Sequence, residues 1–280
     1  MPNVYEIITE RIIEQLEKNV VPWRKPWKSI PPLNLVSKKE YRGINSILLN
    51  SLLFENPYFL SFKQARELGG FVRRGERGFP VVFWQMIEKG EGNDKETFPL
   101  LRYYTVFNVA QTEGVEIPKA GVRESNSIDE CERIVSGMPN PPKIAFGGNQ
   151  AFYVPSRDLI TLPVRKRFDS AEEFYSTLLH EMVHSTGHAS RLNRKGINES
   201  GVGFGSETYS QEELVAEIGS SFLNAKAGII GRTIENSASY IANWLSVLRS
   251  DKRMITLAAG AAQKASDYIL GAHVSEASNE

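Results

Sequence analysis

Residues 180–184 read His-Glu-Met-Val-His, and two histidines four residues apart lie on one face only if the segment is a helix. A capping box at Ser170 and Glu173 predicts where that helix begins. Apolar residues recur at helical spacing after the box, so we expect the helix to run through His184. Both imidazoles then reach one cation, with Glu181 beside them to take a proton from a water molecule. The alternative is a pair of surface histidines on an amphipathic helix.

A catalytic metal site of this kind needs a third protein ligand, and the sequence offers three candidates. His188 follows His184 by four residues, but the glycine between them is expected to end the helix, and the spacing is shorter than His-x-x-Gly-x-x-His. Glu213 and Glu217 lie beside an apolar stripe, where carboxylates are costly to bury unless they are paired or bind a metal. We therefore predict Glu213 as the third ligand. The alternative is that Glu213 only completes a capping box with Ser210.

Three more side chains are predicted to support these ligands. Glu217 is expected to orient a histidine, and His188 and Tyr209 are expected to lie next to the site. Tyr209 and Tyr153 are candidate donors to the negative charge that develops on a substrate oxygen, the alternative being that both rings pack in the core. We expect one divalent metal, zinc first, although imidazole and carboxylate ligands also suit manganese, cobalt and nickel.

Positive charge is concentrated near the N-terminus, although the 280-residue chain has a net charge of zero. Residues 18–80 hold 12 basic and 4 acidic residues, an excess that can attract a polyanion. Aromatic rings alternate with cations there, which is typical of single-stranded nucleic-acid binding. The candidate residues are Trp23, Arg24, Lys25, Trp27, Lys28, Lys39, Tyr41, Arg42, Arg73, Arg74 and Arg77. The alternative is a solvated basic face with the tryptophans in the core.

The overall composition excludes several other classes of protein. With 41% apolar and 24% charged residues, the chain has ordinary globular composition. Its single cysteine, Cys131, excludes an internal disulfide and a thiolate metal cluster. The charged N-terminal segment lacks the apolar core of a signal peptide, and no apolar run approaches the roughly 20 residues of a membrane span. We therefore expect a cytoplasmic protein with no membrane partner.

The order of the elements predicts an α+β protein of two domains. Residues 1–112 combine a helix over 4–19, two short helices, a turn at Gly75 and Gly78 between two strands, and a β-rich segment. Residues 113–126 are polar, lack periodicity and are predicted to be a linker. Residues 127–280 begin with a capping box at Ser127 and are predicted to be mainly helical with a small β-sheet.

Several blocks of the chain resemble one protein family. The first half resembles the N-terminal domain of ArdC-type antirestriction proteins, also found at the start of some plasmid primases, in ITERIIEQLEKNVVPWRKPW, KEYRGIN, FKQARELGGFVRRGERGFPVVFW and RYYTVFNVAQTEG. The second half is similar to the zincin-type metallopeptidase domain of that family in AFYVPSRDLITLP, LLHEMVHSTGHASRLNR, YSQEELVAEIGSSFL and ASYIANWLSVL. This half is also similar to Spartan-type proteases, which cleave proteins crosslinked to DNA.

The resemblance implies single-stranded DNA binding by the first domain, a metal-dependent site in the second, and protection of incoming conjugative plasmid DNA from host restriction. It implies that His180, His184 and Glu213 are the metal ligands and that Glu181 is the catalytic acid. We therefore expect a peptidase-type site whose substrates are DNA-bound proteins. The alternative is a passive single-stranded-DNA-binding protein whose metal site is structural or non-proteolytic.

Overall fold

A computed structural model describes residues 3–24, 31–89, 96–118, 126–198, 207–229 and 238–272. The helices in these ranges are α1 Val4–Glu17, α2 Ile44–Asn50, α3 Phe62–Glu67, α4 Ser127–Gly137, α5 Ala171–Thr186, α6 Lys195–Asn198, α7 Glu207–Ala227, α8 Ala238–Ser250 and α9 Met254–Ile269. The strands are β1 Leu33–Asn34, β2 Tyr58–Ser61, β3 Phe71–Val72, β4 Phe79–Lys89, β5 Glu96–Asn108, β6 Thr112–Glu113, β7 Lys143–Phe146, β8 Phe152–Val154 and β9 Leu159–Leu162. None of the described helices has the length and apolar character needed to cross a membrane.

The N-terminal part is built on a four-stranded sheet in the order β1-β2-β5-β4. Strand β1 is parallel to β2, while β5 runs antiparallel to both β2 and β4. The β4–β5 ladder is long and extends from Phe79 opposite Val106 to Lys89 opposite Glu96. The β-branched and aromatic residues of these two segments favour such a ladder. Its inner end packs on α2, and its outer end projects from the sheet with exposed side chains.

The C-terminal part is mainly helical and carries a three-stranded sheet in the order β7-β9-β8. Strand β7 is parallel to β9, and β8 runs antiparallel to β9 at one edge. Helix α5 packs against β8 and β9 on one side and against α7 and α9 on the other. The prediction of an α+β protein, with a small sheet in its helical part, is confirmed.

Helix α1 belongs to the N-terminal segment but packs on helices α8 and α9. Its residues Ile8, Ile12 and Leu16 recur every four positions, which places them on one face, and all three are buried with Ile255 and Ala259 of α9 in one apolar cluster. The two ends of the chain therefore share a core. The predicted linker remains a prediction, because residues 119–125 lie outside the described residues.

Two helix caps show which side chains set the ends of helices. Asn3 and Glu6 form a complete capping box at the start of α1. At the start of α4, the side chain of Asn126 accepts the hydrogen bond from the Ile128 amide at 3.1 Å. The prediction that Ser127 is the cap was therefore wrong by one residue. Asn and Ser cap equally well, so the residue types alone did not distinguish them.

Trp23 is fully buried, which corrects its prediction as a DNA-binding residue. Its ring meets Trp244 of α8 edge to face, with 6.2 Å between the ring centroids. Its backbone carbonyl accepts a hydrogen bond from the Ser221 hydroxyl of α7. A ring enclosed in this way has no open face on which a base could stack, so Trp23 instead fastens the N-terminal segment to the C-terminal helices.

Candidate metal centre

Helix α5 forms as the sequence predicted and presents both histidines. The Ser170 hydroxyl accepts a hydrogen bond from the Glu173 amide at 3.1 Å. The Glu173 carboxylate accepts from the Asp169 amide at 2.9 Å, one residue before the cap. The helix continues to Thr186, so His180 and His184 lie one turn apart on the same face. The alternative of two surface histidines is excluded, since His184 is buried and the His180 side chain is 14% exposed.

Three predicted ligands converge on one point. Nε2 of His180 lies 3.2 Å from Nε2 of His184. Oxygens of Glu213 lie 3.7 Å from Nε2 of His180 and 3.5 Å from Nε2 of His184. Tetrahedral coordination with bonds of about 2.0–2.1 Å separates ligand atoms by about 3.3 Å. The three side chains therefore have the spacing and the chemistry to hold one divalent metal.

Glu213 reaches the histidines from α7, which packs against α5. This helix begins at Glu207, so Ser210 lies inside its first turn and does not cap it, and the capping explanation for Glu213 is excluded. Burial alone would raise the pKa of Glu213, but a hydrogen bond with His180 and the positive charge of the histidines lower it to about 2. The Tyr209 hydroxyl also hydrogen-bonds with this carboxylate.

Glu212 holds His184 in place, a role that sequence reasoning did not assign. Its Oε1 lies 3.3 Å from Nδ1 of His184, which leaves Nε2 directed at Glu213. A carboxylate behind an imidazole fixes the orientation of the ring and makes it a better ligand. The only sequence signal was that Glu212 and Glu213 are adjacent acidic residues.

Arg194 in turn holds Glu212. Its Nε donates to Oε2 of Glu212 at 2.9 Å, and its second terminal nitrogen contacts Oε1 of the same carboxylate. The guanidinium also donates to the Thr186 hydroxyl at 2.6 Å and to the Val183 carbonyl at 2.9 Å. Arg194 therefore ties the end of α5 to α7 directly behind the histidine.

Negative charge surrounds the convergence point. Burial alone would lower the pKa of His184, but the hydrogen bond with Glu212 and the charges of Glu213 and Glu181 raise it to about 9. Three carboxylates around two imidazoles attract a proton in this way for the same reason that they would attract a metal cation. The charge balance therefore fits a divalent ion.

His188 and Glu217 were predicted to support the site, and neither is among the three converging side chains. His188 is in the turn after α5, where its Nδ1 is 2.8 Å from the Ser190 hydroxyl, and it is not among the described side chains that converge. His188 therefore lies in a loop because Gly187 ends the helix, and its supporting role beside the site remains a prediction. Glu217 is buried on α7, one turn beyond Glu213. Its role in orienting a histidine remains a prediction.

The site opens into a cleft of about 530 Å³ between the small sheet and α7. Glu181, Tyr209 and Glu213 line one side of the cleft, and Phe152 and Tyr153 of the edge strand β8 line the other. Glu181 is buried in the wall yet borders this space. A substrate in the cleft would therefore meet the carboxylate of Glu181 and the convergence point together.

An ion pair between a buried arginine and a partly exposed aspartate supports the edge of the cleft. Arg191, whose side chain is fully buried, pairs with Asp158, and its Nη1 donates to Oδ2 of that residue at 3.0 Å. The Tyr153 hydroxyl donates to Oδ1 of Asp158 at 2.9 Å. Burial would raise the pKa of Asp158, but these hydrogen bonds and the charge of Arg191 lower it. The Tyr153 hydroxyl is thus engaged in structure rather than directed at a substrate.

The predicted DNA-binding residues fall into several groups. Tyr41 is buried edge to face against Phe59, at 6.3 Å between ring centroids, so like Trp23 it cannot stack on a base and the prediction is corrected. Arg42 pairs with Asp267, and Arg73 binds Glu76 and the Ala110 carbonyl. Lys39, Arg74 and Arg77 are exposed, as are the paired side chains of Arg42 and Arg73. The residues that lie outside the described part are Lys25, Trp27, Lys28 and the side chain of Arg24.

Comparison with known families divides the chain in two. Residues 2–107 match the N-terminal domain of anti-restriction factor ArdC, and residues 131–261 match a zincin-like metallopeptidase domain. An Escherichia coli protein named DNA primase TraC is 35% identical over 95% of this chain. This chain spans only 27% of the length of that relative. An uncharacterized protein, y4eC, of Sinorhizobium fredii is 34% identical over 95% of this chain and 91% of its own length.

Two solved structures of one protein share the fold over nearly the whole chain. The metal-free crystal structure of the antirestriction ArdC protein from plasmid R388 has a TM-score of 0.78 and 35% identity, covering 96% of this chain and 97% of that one. The Mn(II)-bound structure has a TM-score of 0.79 and covers 98% and 99% of the two chains. The zincin-like domain and this Mn(II)-bound neighbour support a divalent metal in this chain.

Proposed function

This chain belongs to the ArdC-type antirestriction proteins, and from that membership we propose that it binds single-stranded DNA, carries a metal-dependent peptidase site and protects incoming plasmid DNA from restriction. The observation that carries the proposal is the convergence of His180, His184 and Glu213 beside Glu181 in an open cleft. We propose zinc as the metal, with manganese, cobalt and nickel as acceptable substitutes. A cytoplasmic location, where restriction enzymes meet incoming DNA, is part of the proposal.

In the proposed peptide hydrolysis, each residue of the cleft has a separate role. His180, His184 and Glu213 would hold a divalent metal, which would act as a Lewis acid and lower the pKa of a water molecule toward ~7. Glu181 takes the proton from the attacking water and passes it to the leaving amine. We propose Tyr209 as the donor to the developing oxyanion, because its hydroxyl lies against Glu213 in the same cleft.

The peptidase proposal is tested with Glu181→Gln, which keeps the size of the side chain and removes its basicity. The assay follows degradation of a DNA-binding protein with and without single-stranded DNA. We expect the variant to retain its metal and to lose cleavage, because the proton transfer has no acceptor. Equal cleavage by the variant and the unmodified chain would sink the mechanism.

The DNA-binding proposal is supported by the exposed cations Lys39, Arg74 and Arg77 in the N-terminal part, where basic residues are in excess. If four to six phosphates are contacted, log affinity for a single strand falls against log salt with a slope of roughly −3 to −4. A titration of labelled single strands at several salt concentrations measures this slope. A flat response would show that the cations do not contact phosphates.

A restriction-challenge assay separates the active from the passive function. If peptide hydrolysis protects DNA, Glu181→Gln loses protection and a double Arg74→Glu, Arg77→Glu variant loses it too. If the chain only coats DNA, Glu181→Gln keeps full protection while the arginine variant loses it. Removal of metal by a chelator, with DNA affinity measured in parallel, shows whether the two activities are independent.

A further inference from the structure

The β4–β5 hairpin presents exposed aromatic rings on both of its faces. Phe83 and Trp84 are neighbours in β4 and are 37% and 38% exposed, and because side chains alternate along a strand they point to opposite faces. In the ladder, Phe83 lies opposite Arg102 and Val81 opposite Tyr104. Phe83, Arg102 and Tyr104 therefore share one face of the hairpin, which we call the Phe83 face.

The Phe83 face combines stacking surface with positive charge. The rings of Phe83 and Tyr104 lie 5.8 Å apart between centroids and are tilted by 58°. Tyr104 is 42% exposed, and the side chain of Arg102 is exposed beside the ring of Phe83. Exposed rings next to a guanidinium are the elements that proteins use to stack unpaired bases.

The Phe83 face adjoins a cleft between the segment that leads into α2 and helices α7 and α9. The hydroxyl of Tyr104 is hydrogen-bonded to that of Tyr41, and Tyr41 lines the cleft. The cleft has a volume of about 500 Å³. Lys39 lines it from the N-terminal part and Lys226 from α7. Both lysines are exposed, so their ammonium groups can reach a ligand.

The remaining charges of the cleft leave it positive. Arg42 pairs with Asp267 of α9 across the cleft, which neutralises both. The Gly43 amide donates to the Gln263 side chain at 2.9 Å, a second link between the two halves of the chain. Glu40 is the other acidic residue in the lining and opposes Lys39 and Lys226. The cleft therefore suits an anionic ligand that extends from the Phe83 face.

We propose that a single strand of DNA lies along the Phe83 face, with bases stacked on Phe83 and Tyr104, and continues into the cleft, where Lys39 and Lys226 contact its phosphates. This inference rests on the proposed DNA binding and adds that a residue of the zincin-like part, Lys226, takes part in it. This path for the DNA, which we call the track, uses the exposed rings of Phe83 and Tyr104 in place of the buried rings of Trp23 and Tyr41.

The proposal is tested by titrating the full-length chain into a fluorescein-labelled oligothymidylate and measuring anisotropy. Phe83→Ala and Tyr104→Ala should each weaken binding by about fivefold or more, the low end of what one stacked base contributes. Trp84→Ala and Tyr103→Ala are matched controls, since each is an adjacent ring of similar exposure on the opposite face. They should leave the affinity within about twofold, and melting temperatures confirm that all four variants fold.

The cleft is tested separately with Lys226→Glu against Lys264→Glu, an exposed lysine of α9 outside the cleft. Only the first should lower affinity and reduce the salt slope by about 0.7, the contribution of one phosphate contact. If the control variants and the variants of the Phe83 face and cleft lose the same DNA affinity, or if none loses any, this path for the DNA is wrong. The proposal that the chain binds single-stranded DNA would still stand. A change of oligomeric state with Phe83→Ala, without a change in DNA affinity, would assign the face to self-association. Failure of the unmodified chain to bind would overturn the proposed DNA binding as well.

Discussion

At the scale of single residues, the candidate metal centre depends on a side chain that is not itself a predicted ligand. Arg194 contacts Glu212, and Glu212 faces Nδ1 of His184. Carboxylates that orient metal-binding histidines typically account for 10–100-fold in metal affinity. Because Arg194 holds the Glu212 carboxylate in place, removing Arg194 should reduce metal affinity by about as much as removing that carboxylate.

We predict that Arg194→Ala weakens metal binding by about 10–100-fold, because Glu212 loses its partner and His184 loses its orientation. Competition with a chelator of known affinity measures the change. Lys195→Ala, a substitution of the exposed neighbouring cation, should leave metal affinity unchanged. Glu212→Gln should reproduce the Arg194→Ala defect. Normal metal affinity in both would show that the pair only stabilises the fold.

A second residue-scale prediction concerns Asp158, which sits in the left-handed region with φ 44° that asparagine also tolerates. Asp158→Asn leaves the buried Arg191 without its carboxylate, so we expect the free energy of unfolding at neutral pH to fall by about 3 kcal/mol, the low end for buried pairs because Asp158 is partly exposed. Urea unfolding measures the loss.

The pH dependence of that difference follows from the lowered pKa of Asp158. A carboxyl group with a depressed folded-state pKa stabilises the fold above its unfolded pKa and ceases to do so as the pH falls through its folded value. The difference between the unmodified chain and Asp158→Asn should therefore be constant from neutral pH down to about pH 4 and shrink below it. A difference that grows on acidification would contradict this assignment.

Residue types predicted which side chains converge but not what surrounds them. The His-x-x-x-His spacing is local and belongs to one helix, so His180, Glu181 and His184 could be identified from sequence. Glu213 could be chosen because a carboxylate beside an apolar stripe needs a partner. Glu212 could not, because its pairing with Arg194 depends on how the turn after α5 folds back. Trp23 was misjudged because nearby cations resemble a stacking site, whereas its ring packs on Trp244, far away in sequence.

At the scale of elements, α7 approaches α5 closely because Gly219 has no side chain. A Cβ at Gly219 would lie 2.9 and 3.0 Å from the two methyl carbons of Val183, the residue before His184. A contact under 3.0 Å requires either the Val183 side chain or one of the two helices to shift, and a shift of α5 would move the histidines. By contrast, a Cβ added at Gly260 on α9 would meet nothing within 4 Å.

We therefore predict opposite effects for two glycine substitutions. Gly219→Ala should lower the free energy of unfolding by about 1–2 kcal/mol, because overpacking outweighs the gain in helix propensity, and should weaken metal binding. Gly260→Ala should raise it by about 0.5–1 kcal/mol, because only the propensity gain remains. Thermal unfolding with and without added metal measures both. If the two variants behave alike, the contact with Val183 does not control the site.

Elements with strong local periodicity were predicted well, and pairings between elements less so. The helix predicted over residues 4–19 is α1, and the helix predicted to run from the capping box at Ser170 through His184 is α5. The turn at Gly75 does separate two strands, but β3 pairs with β6 rather than with β4. Local turn residues mark where a strand ends, whereas its partner depends on chain folding that no short segment encodes.

At the scale of the whole molecule, the N-terminal helix and the C-terminal helices share one core. The sequence predicted two domains, and nothing in the spacing of α1 showed that its apolar face would meet α8 and α9. An amphipathic face specifies that it must be buried but not against which partner. Helix α1 therefore couples the stability of the N-terminal part to that of the C-terminal helices.

We predict that Ile12→Ala, a fully enclosed residue of α1, lowers the stability of the zincin-like part as well as that of the N-terminal part. Truncating such a side chain costs about 2–5 kcal/mol. The urea concentration at which bound metal is released should fall accordingly. Glu14→Ala, on the exposed side of the same helix, should leave it unchanged. Metal release at an unaltered urea concentration in Ile12→Ala would show that the two parts unfold independently.

Helix α7 carries Glu213 near one end and Lys226 near the other. At 1.5 Å per residue these positions are about 20 Å apart along a continuous rod. If both proposals hold, α7 sets the distance between the bound DNA and the peptidase site. A protein attached to the DNA is then cleaved only if part of it extends about 20 Å from the strand. Small adducts that lie close to the DNA backbone would then not be cleaved. Large adducts with flexible segments would be cleaved because of how far those segments extend, whatever their sequence.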